Sequence, residues 1–207
     1  MREIATTLTD FLLTALCALC VWRLVASGAG ARLPGAVVFF AGFAAAALFG
    51  GIWHGYFSDE LSRAQEIIWW ITMLFAGVTA AGLALVGVEL LGATRRRLVV
   101  ALGCGLVAIY AVVAWHDPRF LVSLVATVAG TILCVAGLIH RLRQPDRRGA
   151  AMALAGLALS VVAAVAQQQG LALHAVHFDH NATYHLALLP ALGLVYAGFR
   201  GLATHPQ

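Results

Sequence analysis

Charged residues are scarce in this chain of 207 residues, and lysine is absent from it altogether. Charged side chains make up 11% of the sequence and hydrophobic ones 62%, with a mean hydropathy of +0.91. Water-soluble domains carry about 25% charged residues, so this composition excludes a water-soluble fold. Because one membrane-crossing helix needs about 20 apolar residues, the length predicts about seven crossings in a single transmembrane domain, residues 1–207, with no separate soluble domain.

Cysteine is also scarce, and its four positions exclude a disulfide framework because each lies within an apolar run. Cys17 and Cys20 form a C-x-x-C pair, a spacing that supports redox chemistry in soluble proteins. Within a helix that crosses lipid, we interpret this pair as packing and assign it no function.

Seven apolar stretches, separated by charges and turn residues, account for the crossings. They lack the alternating polarity of barrel strands, and helices are the other structure that satisfies its backbone polar groups within lipid. Because Arg23 follows the first stretch rather than preceding it, we interpret that stretch as an anchor and not as a cleaved signal peptide. The sequence therefore predicts an all-α polytopic membrane protein, a seven-transmembrane-helix bundle with helices at about 5–26, 34–57, 62–91, 96–115, 118–141, 148–170 and 180–200.

Arginine supplies all 13 basic residues, and its distribution predicts the orientation of the bundle. Three arginines fall on one side of the membrane, and ten fall on the other. Because arginine accumulates in cytoplasmic loops, we expect the N-terminus outside and the C-terminus in the cytoplasm. The arginines lie at helix ends rather than along one continuous face, which argues against a nucleic-acid-binding surface. The cytoplasmic set is Arg23, Arg32, Arg95, Arg96, Arg97, Arg141, Arg143, Arg147, Arg148 and Arg200, and the outer set is Arg2, Arg63 and Arg119.

The absence of lysine, together with abundant alanine and glycine, is typical of a GC-rich bacterial genome. We therefore expect the protein in a bacterial inner membrane. The outer side of the bundle would then face the periplasm.

Four ionisable residues are predicted to share one layer near the outer face: Asp10, His54, Glu66 and His185. Each lies about one turn inside the outer end of its helix, or about 6–8 Å deep at 1.5 Å per residue. Ionisable groups at membrane depth are costly, which makes them functional candidates. Histidines and carboxylates that converge between apolar helices form metal sites, so the pattern predicts zinc bound by His54 and His185. Two alternatives stay open: Asp10 in a hydrogen-bond network with nearby threonines, and Glu66 in an ion pair with Arg63.

The layer resembles the seven-helix superfamily that joins the alkaline ceramidases with the progestin and adipoQ receptors, known as the CREST superfamily. In the ceramidase branch, a tryptophan and a histidine end the second helix, an aspartate follows in the third, and an H-x-x-x-H motif opens the seventh. Trp53 and His54 resemble the first of these motifs, and Glu66 stands about where the aspartate would. The segment from His180 to His185 resembles the last motif.

The sequence departs from the family pattern at two positions. Asn181, rather than a histidine, lies four residues before His185, and Gly50 replaces a serine that assists the family's reaction. The chain is also similar to small uncharacterised bacterial seven-helix proteins that end in an HN-x-x-YH motif.

The resemblance implies a membrane-embedded, zinc-dependent hydrolase of a lipid amide or ester, with His54, His180 and His185 as the zinc ligands. Zinc acidifies a bound water molecule, and Asp10 or Glu66 would accept its proton or orient a histidine. The alternative is a non-catalytic lipid-binding or sensing protein with a structural polar or metal site. In either case a membrane lipid is the expected partner. Haem-based electron transfer is less favoured because the histidines gather on one side of the membrane. A transporter is less favoured because the sequence shows no pair of broken helices in corresponding halves.

Overall fold

The computed structural model describes residues 3–58, 62–92, 96–117, 120–144, 147–174 and 177–204. Within these ranges the chain is helical and has no β-strand; an isolated antiparallel bridge joins His174 and Phe178. The prediction of an all-α fold is therefore confirmed. Arg2, Arg95 and Arg119, which contribute to the orientation prediction, lie outside the described residues.

The long helices coincide with the apolar stretches of the sequence, and their ends agree to within about one turn. A short helix after the first stretch, α2, and a π-helical turn after the second were not predicted. The elements are α1 (Ile4–Ala26), α2 (Ala29–Arg32), α3 (Pro34–Ile52), the π-helical turn (Trp53–Phe57), α4 (Arg63–Leu90), α5 (Arg96–His116), α6 (Phe120–Leu142), α7 (Arg148–Gln168) and α8 (His180–Thr204).

Six helices in the described part of the chain are long and apolar enough to cross a membrane. They are α1, α3 together with the π-helical turn, α4, the segment Val122–Leu142 of α6, α7 and α8. In α5, a shorter apolar segment covers Gly103–His116. The membrane character predicted from composition is thus supported by the helices themselves.

Glycines in the left-handed region follow three of the long helices, α1, α4 and α7, and allow the chain to turn. Gly28 has φ 71° and donates its N–H to the Val25 carbonyl, and Gly92 has φ 77° and donates to the Glu89 carbonyl. A side chain at either position would strain the backbone. Pro34 then begins α3, in the first turn, where its missing N–H costs no helical hydrogen bond.

Contacts along the helices define their directions. Gly130 of α6 packs on the Ala80 carbonyl of α4, and Gly87 of α4 packs on the Leu133 carbonyl of α6, so these two helices run parallel and close together. A Cβ at Gly87 would lie 2.2 Å from that carbonyl oxygen, which explains why only glycine fits there. Tyr110 of α5 donates its hydroxyl to the Met73 carbonyl of α4, 2.8 Å away.

The first and last helices, α1 and α8, also run parallel. At one end of the bundle, Thr6 of α1 contacts Asp179, which immediately precedes α8. At the other end, Arg23 of α1 and Arg200 of α8 line one cleft. We call the end with Thr6 and Asp179 the histidine end, because the π-helical turn with His54 and the start of α8 lie there. We call the end with Arg23 and Arg200 the arginine end.

Candidate functional site

The first turns of α1 bring a carboxylate into the bundle at the histidine end. Thr6, Thr9 and Asp10 share one face of the helix by their spacing, and all three are buried, with Asp10 only 4% exposed. The Thr9 hydroxyl lies 2.9 Å from the carbonyl oxygens of both Ala5 and Thr6. Its single proton is therefore directed to the backbone of its own helix.

The end of α3 approaches α1 closely because two glycines remove side chains from the contact. A Cβ at Gly51 would lie 3.0 Å from the Asp10 Cβ and 3.1 Å from the ring of Phe11. A Cβ at Gly50 would lie 3.6 Å from Asp10 Oδ2. The π-helical turn follows directly, and turns of this kind occur frequently at functional sites.

The π-helical turn carries His54, whose ring faces a carboxylate from the start of the chain. His54 Nδ1 lies 2.6 Å from Glu3 Oε2, and the His54 side chain is 16% exposed. A carboxylate oxygen and a bare imidazole nitrogen are both acceptors, so this close approach favours the tautomer with its proton on Nδ1, although the two atoms do not meet the geometry of a hydrogen bond. With that proton on Nδ1, the Nε2 lone pair of His54 remains available.

Asp179 fixes the start of α8 against α1. Its Oδ1 accepts from the backbone N–H of Ala182, 2.8 Å away, which is the geometry of a helix N-cap. The same carboxylate accepts from the Thr6 hydroxyl at 3.1 Å. One aspartate therefore caps the last helix and connects it to the first.

His185, one turn further into α8, is held by the polar face of α1. Its Nδ1 lies 3.1 Å from Thr9 Oγ1 and 3.5 Å from Asp10 Oδ1. Because the Thr9 proton is directed to the backbone, the Thr9 oxygen accepts, and His185 Nδ1–H donates. The Nε2 lone pair of His185 is then available, as in His54.

Carboxyl groups outnumber basic side chains among the contacting residues at this end. Glu3, Asp10 and Asp179 surround the two imidazoles, which lie within electrostatic range of each other and of Asp179. In the described ranges, no arginine forms an ion pair with any of the three carboxylates. Asp10 Oδ2 is buried without a hydrogen-bond partner. An arrangement of this kind attracts a cation.

The structure brings together three of the five residues that the sequence analysis selected. Asp10, His54 and His185 meet at the histidine end, whereas Glu66 and His180 are exposed. Glu66 lies in the first turn of α4, and no contact among the described residues joins it to either imidazole. His180 begins α8 and lies five residues before His185, which is about 140° around a helix.

Within the described ranges, no group of three or more histidine, cysteine, aspartate or glutamate side chains is arranged to hold a metal ion. The predicted set of His54, His180 and His185 is therefore not gathered around one point. What is present is a pair of histidines, each held at Nδ1.

Two carboxylates of the site, Glu3 and Asp179, were not among the predicted residues. An aspartate immediately before the predicted helix start at residue 180 is a typical N-cap signal, so Asp179 could have been recognised. Glu3 had no comparable signal, because its contact with His54 depends on the unpredicted π-helical turn.

A model of a family of unknown function, DUF6962, matches residues 5–204. No curated protein matches the chain, and no solved structure does.

Proposed function

This chain belongs to the DUF6962 family, which has no assigned function, and from its site we propose a membrane-embedded, zinc-dependent hydrolase of a lipid amide or ester. The observation that carries the proposal is the way in which the two histidines are held. Both have an acceptor at Nδ1, Glu3 for His54 and Thr9 with Asp10 for His185. Histidines that bind zinc characteristically donate their other N–H to such a partner, which orients the ring.

The residues present fit a zinc ion in their chemistry. His54 and His185 would bind it through Nε2, and the surrounding carboxylates favour a divalent cation. His180 follows Asp179 directly and would complete the ligand set if its side chain turned inward. When bound, Zn²⁺ supplies a Lewis acid that increases the acidity of water and polarises a carbonyl.

Asp10 has two roles in this proposal, one for each carboxylate oxygen. Oδ1 orients His185 from 3.5 Å, and Oδ2 has no hydrogen-bond partner. Oδ2 is thus free to accept the proton of an attacking water molecule. Glu3, which contacts His54, is a positioning residue. Exposed Glu66 has no part in the chemistry.

We also propose seven crossings, with the arginine end in the cytoplasm of a bacterium and the histidine end at the periplasmic face. The seventh crossing would be α5, whose Gly103 packs near Leu85 and whose Trp115 packs near Trp70 of α4, so that α5 runs antiparallel to α4 over this length. The site would then lie near the outer headgroups, where the carbonyl of a lipid amide or ester is within reach.

Metal analysis tests the zinc site. We expect protein purified in detergent to carry about one zinc ion per chain, measured by mass spectrometry of the metal. His54→Ala and His185→Ala should lose it, whereas His140→Ala, which removes an exposed histidine at the arginine end, should keep it. Wild-type protein without zinc, or unchanged zinc in both site variants, would refute the site.

Hydrolysis of fluorescent lipid amides and esters in mixed micelles tests the reaction. Asp10→Asn preserves an acceptor for His185 but removes the base, so we expect zinc to stay bound while the rate falls by about 10²–10⁴-fold. A variant that retains both zinc and full activity would show that Asp10 does not accept the proton.

A non-catalytic lipid-binding or sensing protein is the second candidate. It is favoured by the exposed position of His180 and by Gly50, which offers no hydroxyl to the site. In that case the histidines and carboxylates only connect α1, α3 and α8. Bound zinc without any product from a panel of lipid substrates would support this function over hydrolysis.

A further inference from the structure

The arginine end contains a second polar feature, distant from the histidines. A shallow cleft of about 300 Å³, open to its surroundings, lies between the ends of α1 and α8, and its lining is Trp22, Arg23, Ala26, Ser27 and Arg200. The two arginines come from helices at opposite ends of the chain. The fold, and not closeness along the chain, therefore brings the two arginines together.

Neither guanidinium of the cleft is neutralised by a residue that the structure describes. Arg23 and Arg200 are both exposed, and in the described part of the chain neither forms an ion pair with a carboxylate. Nearby Arg32 differs, because it donates to the Ala203 carbonyl at the end of α8, 3.3 Å away. Two unpaired guanidiniums lining one cleft present several N–H donors to an anion, and their planar geometry suits phosphate oxygens.

The depth of the cleft matches the headgroup layer. Arg23 and Arg200 each lie about one turn before the end of a helix long enough to cross a membrane. Trp22 is 63% exposed, and the Arg23 guanidinium lies 5.9 Å from the centre of its ring. Exposed tryptophans are enriched at this level of a bilayer.

An apolar stripe leads from the bilayer interior to the cleft. Leu12 and Leu19 of α1 are exposed on the surface of the helix that carries Trp22 and Arg23. An acyl chain could lie along this stripe while its phosphate occupies the cleft. A free anion would use only the polar part of this surface.

From these observations we propose that the cleft between α1 and α8 binds the phosphate of an anionic phospholipid. Basic pockets between membrane helices are known to hold such headgroups. The ligand contacts both the first and the last long helix, so its binding should stabilise the folded bundle.

Thermal unfolding of the intact protein in a neutral detergent provides the test, with three added probes. We expect short-chain phosphatidylglycerol to raise the midpoint in a saturable way, short-chain phosphatidylcholine to raise it less, and inorganic phosphate at the same concentration to leave it unchanged. In Arg23→Gln and in Arg200→Gln, the affinity for phosphatidylglycerol should fall by about tenfold each. Arg143→Gln removes an exposed arginine outside the cleft and should bind as the wild type does.

Two results would overturn the proposal. One is an equal response to phosphatidylglycerol in the wild type and in the double variant Arg23→Gln/Arg200→Gln. The other is a response to inorganic phosphate as large as the response to the lipid, which would mean a free-anion site. If the double variant does not fold, Arg200→Lys replaces it in the test. This substitution keeps the positive charge but removes the planar guanidinium. The proposal requires that the affinity of this variant for phosphatidylglycerol be lower than that of the wild type.

Discussion

A hydroxyl introduced at position 50 should reach the unpartnered oxygen of Asp10. A Cβ at Gly50 would lie 3.6 Å from Asp10 Oδ2, 3.8 Å from Oδ1 and 3.8 Å from Thr72 Cγ2. These are ordinary van der Waals distances, so Gly50→Ala and Gly50→Ser both fit. The serine oxygen extends one bond further and can donate to Oδ2, which has no hydrogen-bond partner. Gly50→Ser therefore supplies a hydrogen bond that Gly50→Ala cannot.

The expected gain in unfolding free energy follows from a comparison of these two substitutions. Replacing a helical glycine by alanine contributes at most about 0.5–1 kcal/mol. Supplying a donor to a buried, unsatisfied acceptor recovers about 1–3 kcal/mol, and serine forms helix less well than alanine by about 0.5 kcal/mol. We therefore expect Gly50→Ser to exceed Gly50→Ala in unfolding free energy by about 0.5–2.5 kcal/mol, or a few degrees in midpoint.

The measurement is thermal unfolding of chelator-treated protein in detergent, so that no metal competes for Asp10. Gly51→Ala serves as the steric control, because its Cβ would meet Asp10 and Phe11 at 3.0 and 3.1 Å. We expect that variant to lose about 1–3 kcal/mol. If Gly50→Ser is no more stable than Gly50→Ala, then Oδ2 either has a partner or does not face position 50, and the site described above is incorrect.

Three further predictions concern the packing that holds the site, each measured as an unfolding midpoint. Gly87→Ala should cost about 1–3 kcal/mol because its Cβ would overlap a backbone carbonyl of α6, while Gly105→Ala, with open space around it, should cost nothing. Tyr110→Phe should cost about 0.5–1.5 kcal/mol, since one buried hydrogen bond to a backbone carbonyl of α4 is lost. Thr6→Val should cost about 1 kcal/mol and speed hydrogen exchange in the first turn of α8, and unchanged exchange there would contradict its role.

The helices of this protein could be predicted from sequence because lipid leaves few options. Apolar runs of about 20 residues must satisfy their own backbone groups, and charges or turn residues mark their ends. The π-helical turn could not be predicted, since nothing in Trp53–Phe57 distinguishes it from a continuation of α3. The short helix α2 is determined by its packing on α1 and α8, which is tertiary information.

The candidate site was predictable in part, for a similar reason. Depth along a helix is readable from sequence, so Asp10, His54 and His185 could be assigned to one layer. The direction of a side chain around the helix depends on how each helix is rotated, and this rotation leaves Glu66 and His180 exposed. The contact of Glu3 with His54 depends on both the π-helical turn and the tilt of α1.

The site joins the first and the last long helix of the described chain. Glu3, Thr9 and Asp10 lie in or next to α1, and Asp179 and His185 lie in or next to α8. A nascent chain that has inserted all of its helices except α8 has only α3 beside the carboxyl group of Asp10. Insertion of α8 is therefore the event that completes the polar centre, and a chain arrested before that point would leave the Asp10 carboxyl group without its histidine.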